Sequence, residues 1–315
     1  MPLSYDAIDL FAGPGGWDVA AHDLGLNVLG IEWDHAACET RRAAGLPTIE
    51  GDVRKYGPVD FPGVRGFIAS PPCQTFSSAG GGSGRQALNV VLSLIKTMEA
   101  RQEVDLSAFD DERTGLVLEP LRWVLGALDA GIPYEWVALE QVATVLPAWE
   151  AMAEVLRREG YSVATGRLQA EEFGVPQSRR RSILIARSEG NASLPASSSD
   201  RAPTMAAALG WEGQRGPHVP ARTDAPWAIT GGRTSVRYSR RNPYERPAPT
   251  VTSAGNTYIG DASGMWRCLT ILEYTALQTF PVDHPWRGTK SEVYRQIGNA
   301  VPPLLAKAVL QAALA

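Results

Sequence analysis

A thiol that acts as a nucleophile must be held still where ligands collect. Cys73 fits that description: it stands in Pro71-Pro72-Cys73-Gln74, straight after the apolar run Gly66-Phe67-Ile68-Ala69. Two prolines fix φ at successive residues, so the thiol is presented on a stiff turn. The run before it reads as a buried strand, and in open α/β sheets ligands gather at the C-terminal strand ends. A buried structural cysteine is the other reading of the same residues, because free Cys is among the most buried residue types. The second chemical feature is Asp9-Leu10-Phe11-Ala12-Gly13-Pro14-Gly15-Gly16, a strand entering a glycine turn and then a helix. Glycines let a backbone approach a ligand closely, and a helix N-terminus favours its negative groups. Glu32 closes the next strand, where nucleotide-binding folds place a carboxylate on ribose hydroxyls. Trp33 can stack on a purine, and Asp52, in Gly51-Asp52-Val53, can accept from an exocyclic amine. No Gly-Lys-Ser/Thr follows the glycines, so they do not form a phosphate loop. A plain tight turn and a dinucleotide oxidoreductase both stay open on this segment alone.

The elements that must position these residues alternate between strand and helix. Strand patterns cover Ala7–Phe11, Asn27–Ile31, Gly66–Ala69, Trp136–Leu139 and Ser182–Ala186. Helix patterns cover Trp17–Leu24, His35–Ala44, Ala87–Arg101, Leu116–Ala130 and Trp149–Arg158. Alternation at these lengths predicts a doubly wound, mostly parallel α/β sheet. After Arg187 the pattern changes: Ser188–Asp200 reads as a linker, and the chain to Trp266 is dense in Pro, Gly, Arg and aromatics. The expected organisation is a catalytic and cofactor-binding domain over 1–187 and a small irregular or β-rich domain over 188–266. A C-terminal segment, 267–315, returns to the first domain with helices at Leu269–Gln278 and Pro302–Ala313.

A chain of 315 residues, 44% apolar and 20% charged, suits a globular protein and excludes a disordered one. No secretory leader is read at Met1–Asp6 and no apolar run reaches about 18 residues, so no membrane partner is expected. Cys38, Cys73 and Cys268 make neither a disulfide framework nor a zinc pattern, so no metal is expected and a reducing cytoplasm is. The net charge of −4 does not mark a nucleic-acid binder, but its distribution is uneven. Gly231–Arg246 carries Arg233, Arg237, Arg240, Arg241 and Arg246 against one acid, Glu245, with Tyr238 and Tyr244 interleaved. Such arginines can contact phosphates and read guanine edges, with salt-sensitive affinity; a solvated basic surface is the alternative.

Together the motifs resemble the DNA (cytosine-5)-methyltransferase family. Asp9–Gly16 is similar to its S-adenosylmethionine motif and Pro71-Pro72-Cys73-Gln74 to its nucleophile motif. Further matches are Glu140-Gln141-Val142, Gln177-Ser178-Arg179-Arg180-Arg181, Arg267–Thr270 with Glu273, Gln278–Pro281 and Tyr294–Pro302. They occur in the family's order from Asp6 to Pro303. The resemblance implies a Rossmann-like, S-adenosylmethionine-dependent methyltransferase with S-adenosylhomocysteine as product and double-stranded DNA as partner. It implies Cys73 as nucleophile at cytosine C6 and Glu140 as the acid at N3. Arg179 and Arg181 would hold the base carbonyl and the thiolate region. Cofactor contacts are expected from Phe11, Gly13, Gly15, Gly16, Trp17, Glu32, Trp33, Asp52, Val53, Pro71, Asn299 and Ala300. DNA contacts are expected from Gln74, Ser77, Arg85, Gln177, Arg233, Arg237, Arg240, Arg241 and Thr250, with 188–266 as target-recognition region.

A cytosine in a duplex must be flipped out to be reached, and the glycine-rich stretch Ser77–Gly84 is the expected closing loop. The family's Glu-Asn-Val is Glu-Gln-Val here; Asn at 141 is expected to serve at least as well. A cognate restriction endonuclease is expected as a functional partner, and the enzyme as a monomer. A tRNA cytosine-5 methyltransferase and a catalytically silent DNA-binding homologue are the alternatives.

Overall fold

A computed structural model describes residues 4–72, 88–104, 109, 112–198, 201–211, 226–230, 241–260 and 266–315. The central sheet holds β1 (Ala7–Leu10), β2 (Val28–Glu32), β3 (Thr48–Glu50), β4 (Gly66–Ala69), β5 (Trp136–Val142), β6 (Ser162–Gln169) and β8 (Arg180–Arg187). Their order is β3-β2-β1-β4-β5-β8-β6, parallel except for β8, which runs antiparallel to both β5 and β6. The predicted mostly parallel α/β sheet is therefore the fold. Strands β1, β2 and β4 are buried throughout, so they read as near-continuous apolar runs, broken by the buried carboxyls Asp9 in β1 and Glu32 at the end of β2.

Helices cover both faces. One face packs Ile8, Leu10 and Phe67 against α3 (Leu88–Glu99), α5 (Glu119–Asp129) and α6 (Leu146–Arg158), with Trp123 and Trp149 fully buried. A short helix, α4 (Glu112–Gly115), precedes α5. The other face packs Ala7, Ile68 and Ile183 against α1 (Gly16–Asp23) and α10 (Pro303–Leu314). Helix α2 (His35–Ala43) is capped by Asp34, whose carboxylate accepts from Ala37 N at 3.0 Å. Strand β6 escapes sequence reading because it is a sheet edge with mostly half-exposed residues, so it carries no apolar alternation.

A smaller lobe begins after residues 188–198, which do not run free. Ala192 N donates to Ser162 Oγ, and Ser198 N to Glu172 O. The lobe contains α7 (Met205–Ala208), a β9-β11-β12 antiparallel sheet (Trp227–Thr230, Thr257–Gly260, Trp266–Cys268) and the pairing of β7 (Gln177–Ser178) with β10 (Ala248–Pro249). Its core joins Met205, Trp211 and Val251 to Tyr274 and Leu277 of α8 (Ile271–Leu277) and Ile297 of α9 (Lys290–Asn299). Within 267–315, α8 and α9 pack into the small lobe's core, α9 also reaches α2 through Arg295 and Asp34, and α10 packs under the sheet. Lys290–Leu314 has the length and composition of a membrane span. It is two helices parted at Ala300–Pro302, with 61% of its most apolar window buried in the fold.

Candidate active site

The turn after β1 is built under strain. Phe11 has φ of 59°, a region β-carbon residues rarely occupy, and Gly13 and Gly15 follow at 53° and 100°. Glu32, at the end of β2, fixes this turn: its carboxylate accepts from Gly13 N, Trp33 N and Asp34 N, each at 2.8 Å. Burial pushes the Glu32 carboxyl up, and those N–H donors oppose the shift. Its Oε2 accepts only the Gly13 bond among these and keeps a lone pair for a hydroxyl. Trp17 Nε1 donates to Ser70 Oγ at 2.9 Å, tying α1 to the exit of β4.

A cavity of about 360 Å³ opens here, within the range of small-molecule sites. Phe11, Gly13, Gly16, Trp17, Glu32, Trp33, Asp52, Val53, Pro71, Asn299 and Ala300 line it, bringing eleven expected cofactor contacts together from five chain segments. Trp33 is 57% exposed, an aromatic face left free for stacking. Asp52 caps the turn after β3 and is gripped by Arg54 Nη2 at 2.7 Å, which holds its carboxyl below the ordinary range. Gly15 is the exception, because it does not line the cavity. A Cβ there would meet Leu46 Cδ1 at 2.3 Å, so its contribution is the left-handed turn and tight packing. Sequence reading missed Ser70, Arg113, Arg295 and Gln296 in the wall. The last two lie on α9, and its capping box, Thr289 with Glu292, is the sequence signal that could have found that helix.

Next to the cavity, β4 and β5 leave the sheet side by side, with Ala69 in register with Leu139. Glu140 follows, 6% exposed, with Arg181 Nε 2.7 Å from its Oε1. The pair is close in distance without an aligned hydrogen bond, so among the described residues that carboxylate oxygen has no hydrogen-bond donor. Gln141 reaches across: its Nε2 donates to Pro71 O at 2.6 Å and its Oε1 accepts from Val142 N at 2.5 Å. An Asn at 141 is one methylene shorter than the side chain that makes this bridge. Cys73, Gln74, Ser77, Arg85 and the Ser77–Gly84 loop lie outside the described residues, as do Arg233, Arg237 and Arg240.

Two other expected residues turn inward. Gln177, expected on DNA, is fully buried and donates to Leu277 O at 2.8 Å while accepting from Val251 N at 3.1 Å. Arg179, expected beside the base, is 2% exposed and donates to Val251 O, Gly298 O and Ala300 O at 3.2, 3.1 and 3.0 Å. The reason lies at the C-terminus of α9, whose last carbonyls have no helical partner and draw a cation and an amide. Arg241 and Thr250 stay at the lobe's rim, both bonded to Ser178 at 2.6 and 2.5 Å.

The model of the C-5 cytosine-specific DNA methylase family matches residues 5–102, 106–210 and 219–315. The chain belongs to this family. It is a DNA (cytosine-5-)-methyltransferase. Among curated relatives, this methyltransferase is 28% identical to the Type II methyltransferase M1.HphI of Haemophilus parahaemolyticus, spanning all of its own length and 87% of the relative. It is 29% identical to M.HgiDI of Herpetosiphon aurantiacus over 95% of this chain and 91% of that one. Its fold is shared with the Entamoeba histolytica methyltransferase EhMeth, at TM-score 0.67, 13% identity and coverage of 99% and 98%. It is shared also with S. pombe Dnmt2 methyltransferase, at TM-score 0.65, 18% identity and 98% coverage of each chain.

Proposed function

We propose that this methyltransferase acts on a cytosine flipped out of duplex DNA through a covalent bond from Cys73 to ring carbon C6. The observation that carries the reading is the bridge from Gln141 to Pro71. It holds the segment that leads into Cys73 against the strand that bears Glu140, on the rim of one cavity. The thiolate, not the thiol, attacks, so the Cys73 proton leaves first. Addition at C6 puts charge on the ring, and Glu140 in its acid form delivers a proton to N3. Arg181, which lies beside Glu140, would hold the base carbonyl. C5 becomes enamine-like and takes the methyl group. Loss of the C5 proton then reforms the C5–C6 double bond and expels Cys73.

S-adenosylmethionine fits the cavity and would supply an electrophilic methyl group on a sulfonium. Glu32 offers a carboxylate to ribose hydroxyls, Trp33 a face to the purine, Asp52 an acceptor for its amine, and Asn299 and Ala300 the opposite wall.

The basic run and the rim residues Arg241 and Thr250 support a recognition region within 188–266, with residues 188–198 packed on the sheet edge. The relatives are named Type II methyltransferases. Host protection beside a functionally linked endonuclease is the corresponding role. Bisulfite sequencing of DNA from cells making the protein should reveal one methylated site. Cys73→Ser should abolish both methylation and covalent trapping on a 5-fluorocytosine duplex, with S-adenosylhomocysteine binding retained. Normal methylation by a folded Cys73→Ser protein refutes the mechanism, and transfer to tRNA in place of duplex DNA refutes the substrate.

A further inference from the structure

We propose that the turn Gly298-Asn299-Ala300-Val301 mechanically links the recognition region to the cofactor cavity, so that DNA and cofactor each change the other's affinity. The inference rests on the methyltransferase reading above. The turn is wedged between two backbones. On one side Gly298 lies flush on the chain after β10: a Cβ there would sit 2.2 Å from both Thr252 C and Ser253 N. On the other side a Cβ on Gly16, the first residue of α1, would sit 2.2 Å from Val301 O. Neither contact contains a side chain that can yield. Between the two contacts, Asn299 and Ala300 form part of the cavity wall.

Buried donors lock the wedge. Arg179 bonds Val251 O together with Gly298 O and Ala300 O. Gln278, fully buried, donates to Ala300 O at 3.0 Å and Ile297 O at 2.5 Å, and accepts from Gln177 Nε2 at 2.5 Å. Gln177 closes the circuit by accepting from Val251 N. Val251 is thus held at its C=O by Arg179, which also holds the wedge, and at its N–H by Gln177, which reaches the wedge through Gln278. Breaking any of these bonds strands a buried polar atom, which costs more than the bond itself contributes. The assembly therefore moves as a unit. Thr250 and Arg241, at the rim where DNA would bear, are bonded to Ser178 between Gln177 and Arg179. A displacement of residues 250–253 on DNA binding must shift the turn or break the circuit. Contiguous packed and hydrogen-bonded networks of this kind carry coupling between sites, and that coupling is reciprocal. Gln278 is a positioning residue here, touching neither ligand.

The test is calorimetric titration of S-adenosylhomocysteine, with and without a short duplex carrying the site found by bisulfite sequencing. In the wild type the duplex should change the affinity at least about fivefold. In Gln278→Met the ratio should fall below about twofold, whatever the variant's affinity in the absence of DNA. Should that variant fail to fold, hydrogen exchange in the wild type decides. Peptides over 296–303 should change protection when the duplex is added without cofactor. Equal affinities with and without DNA in the wild type, an unaltered ratio in a folded variant, or unchanged exchange each overturn the link. A protein that binds neither ligand removes the methyltransferase reading and this link with it; one that binds both independently removes the link alone.

Discussion

Gln141 is where this chain's geometry departs most usefully from what its motif suggested. Its amide spans from β5 to the Pro71 carbonyl, and a shorter side chain cannot. Gln141→Asn should therefore slow covalent trapping on a 5-fluorocytosine duplex by roughly tenfold, the scale of one lost buried hydrogen bond. S-adenosylhomocysteine affinity should be unchanged; equal trapping rates would refute the bridge. Asp9 makes a second residue-level prediction. Its carboxyl is fully buried, and neither oxygen has a hydrogen-bond partner among the described residues. Burial, then the nearby Asp18 charge, push it well above the ordinary carboxylate range, against the pull of Arg41. The folded state thus holds a proton that the unfolded chain releases near pH about 4. Stability is fully present below that pH and is lost as pH rises through the raised folded value. Asp9→Asn, neutral at every pH, should raise the melting temperature by about 2–4 °C at pH 8 and hardly at pH 4. A gain of equal size at both pH values would show that titration is not the cause. The cavity residues legible in the sequence were those placed by local signals: Phe11, Glu32, Trp33 and Asp52 line it at or just past the ends of their strands. Gln177 and Arg179 were misplaced because their partners, the carbonyls of Leu277, Gly298 and Ala300, lie about a hundred residues away.

At the scale of elements, the buried strands and amphipathic helices were legible, while β6 and α9 were not. The edge strand β6 lacks an apolar face. Helix α9 carried a start signal, Thr289 with Glu292, but its sequence is more polar than α10's and its stop is hidden in Gly298-Asn299. The connector from α8 to α9 folds back on the glycine turn through His284. That ring packs tilted against Phe280 at 4.8 Å and edge-on to Trp286 at 4.5 Å, and hydrogen-bonds the Pro14 backbone. Burial pushes His284 down to about 4. Stability from the neutral ring is present above about pH 6.5 and is lost as pH falls through about 4. Melting temperature should fall over that window, and His284→Phe should flatten the fall. Since Asp9 shifts stability the opposite way with pH, the comparison belongs within the Asp9→Asn background. A slope unaffected by His284→Phe would place acid sensitivity elsewhere.

At the scale of the whole molecule, the cavity is assembled from both ends of the chain. The N-terminal glycine turn supplies one wall and Asn299–Val301 the other, and nothing in the sequence order brings them together. What does so is α10, which lies along α1 and buries Leu305, Val309 and Leu310 under the sheet. Lys307 adds a contact to Asp23 at 3.0 Å, but this pair is exposed and worth little. Docking of α10 is therefore apolar packing, and loosening it should open the cavity from a distance. Leu310 is fully buried in the same cluster as Val301 and Trp17. Leu310→Ala should cost about 2–5 kcal/mol in urea unfolding. It should also weaken S-adenosylhomocysteine binding, because Val301 loses its seat on Gly16 as the helix shifts. Leu314, 39% exposed at the same helix's end, supplies the control: Leu314→Ala should stay within about 0.5 kcal/mol and leave binding intact. If Leu310→Ala loses stability yet binds as tightly as wild type, the wall at 299–301 is held by the small lobe, through Arg179 and Gln278, and not by α10.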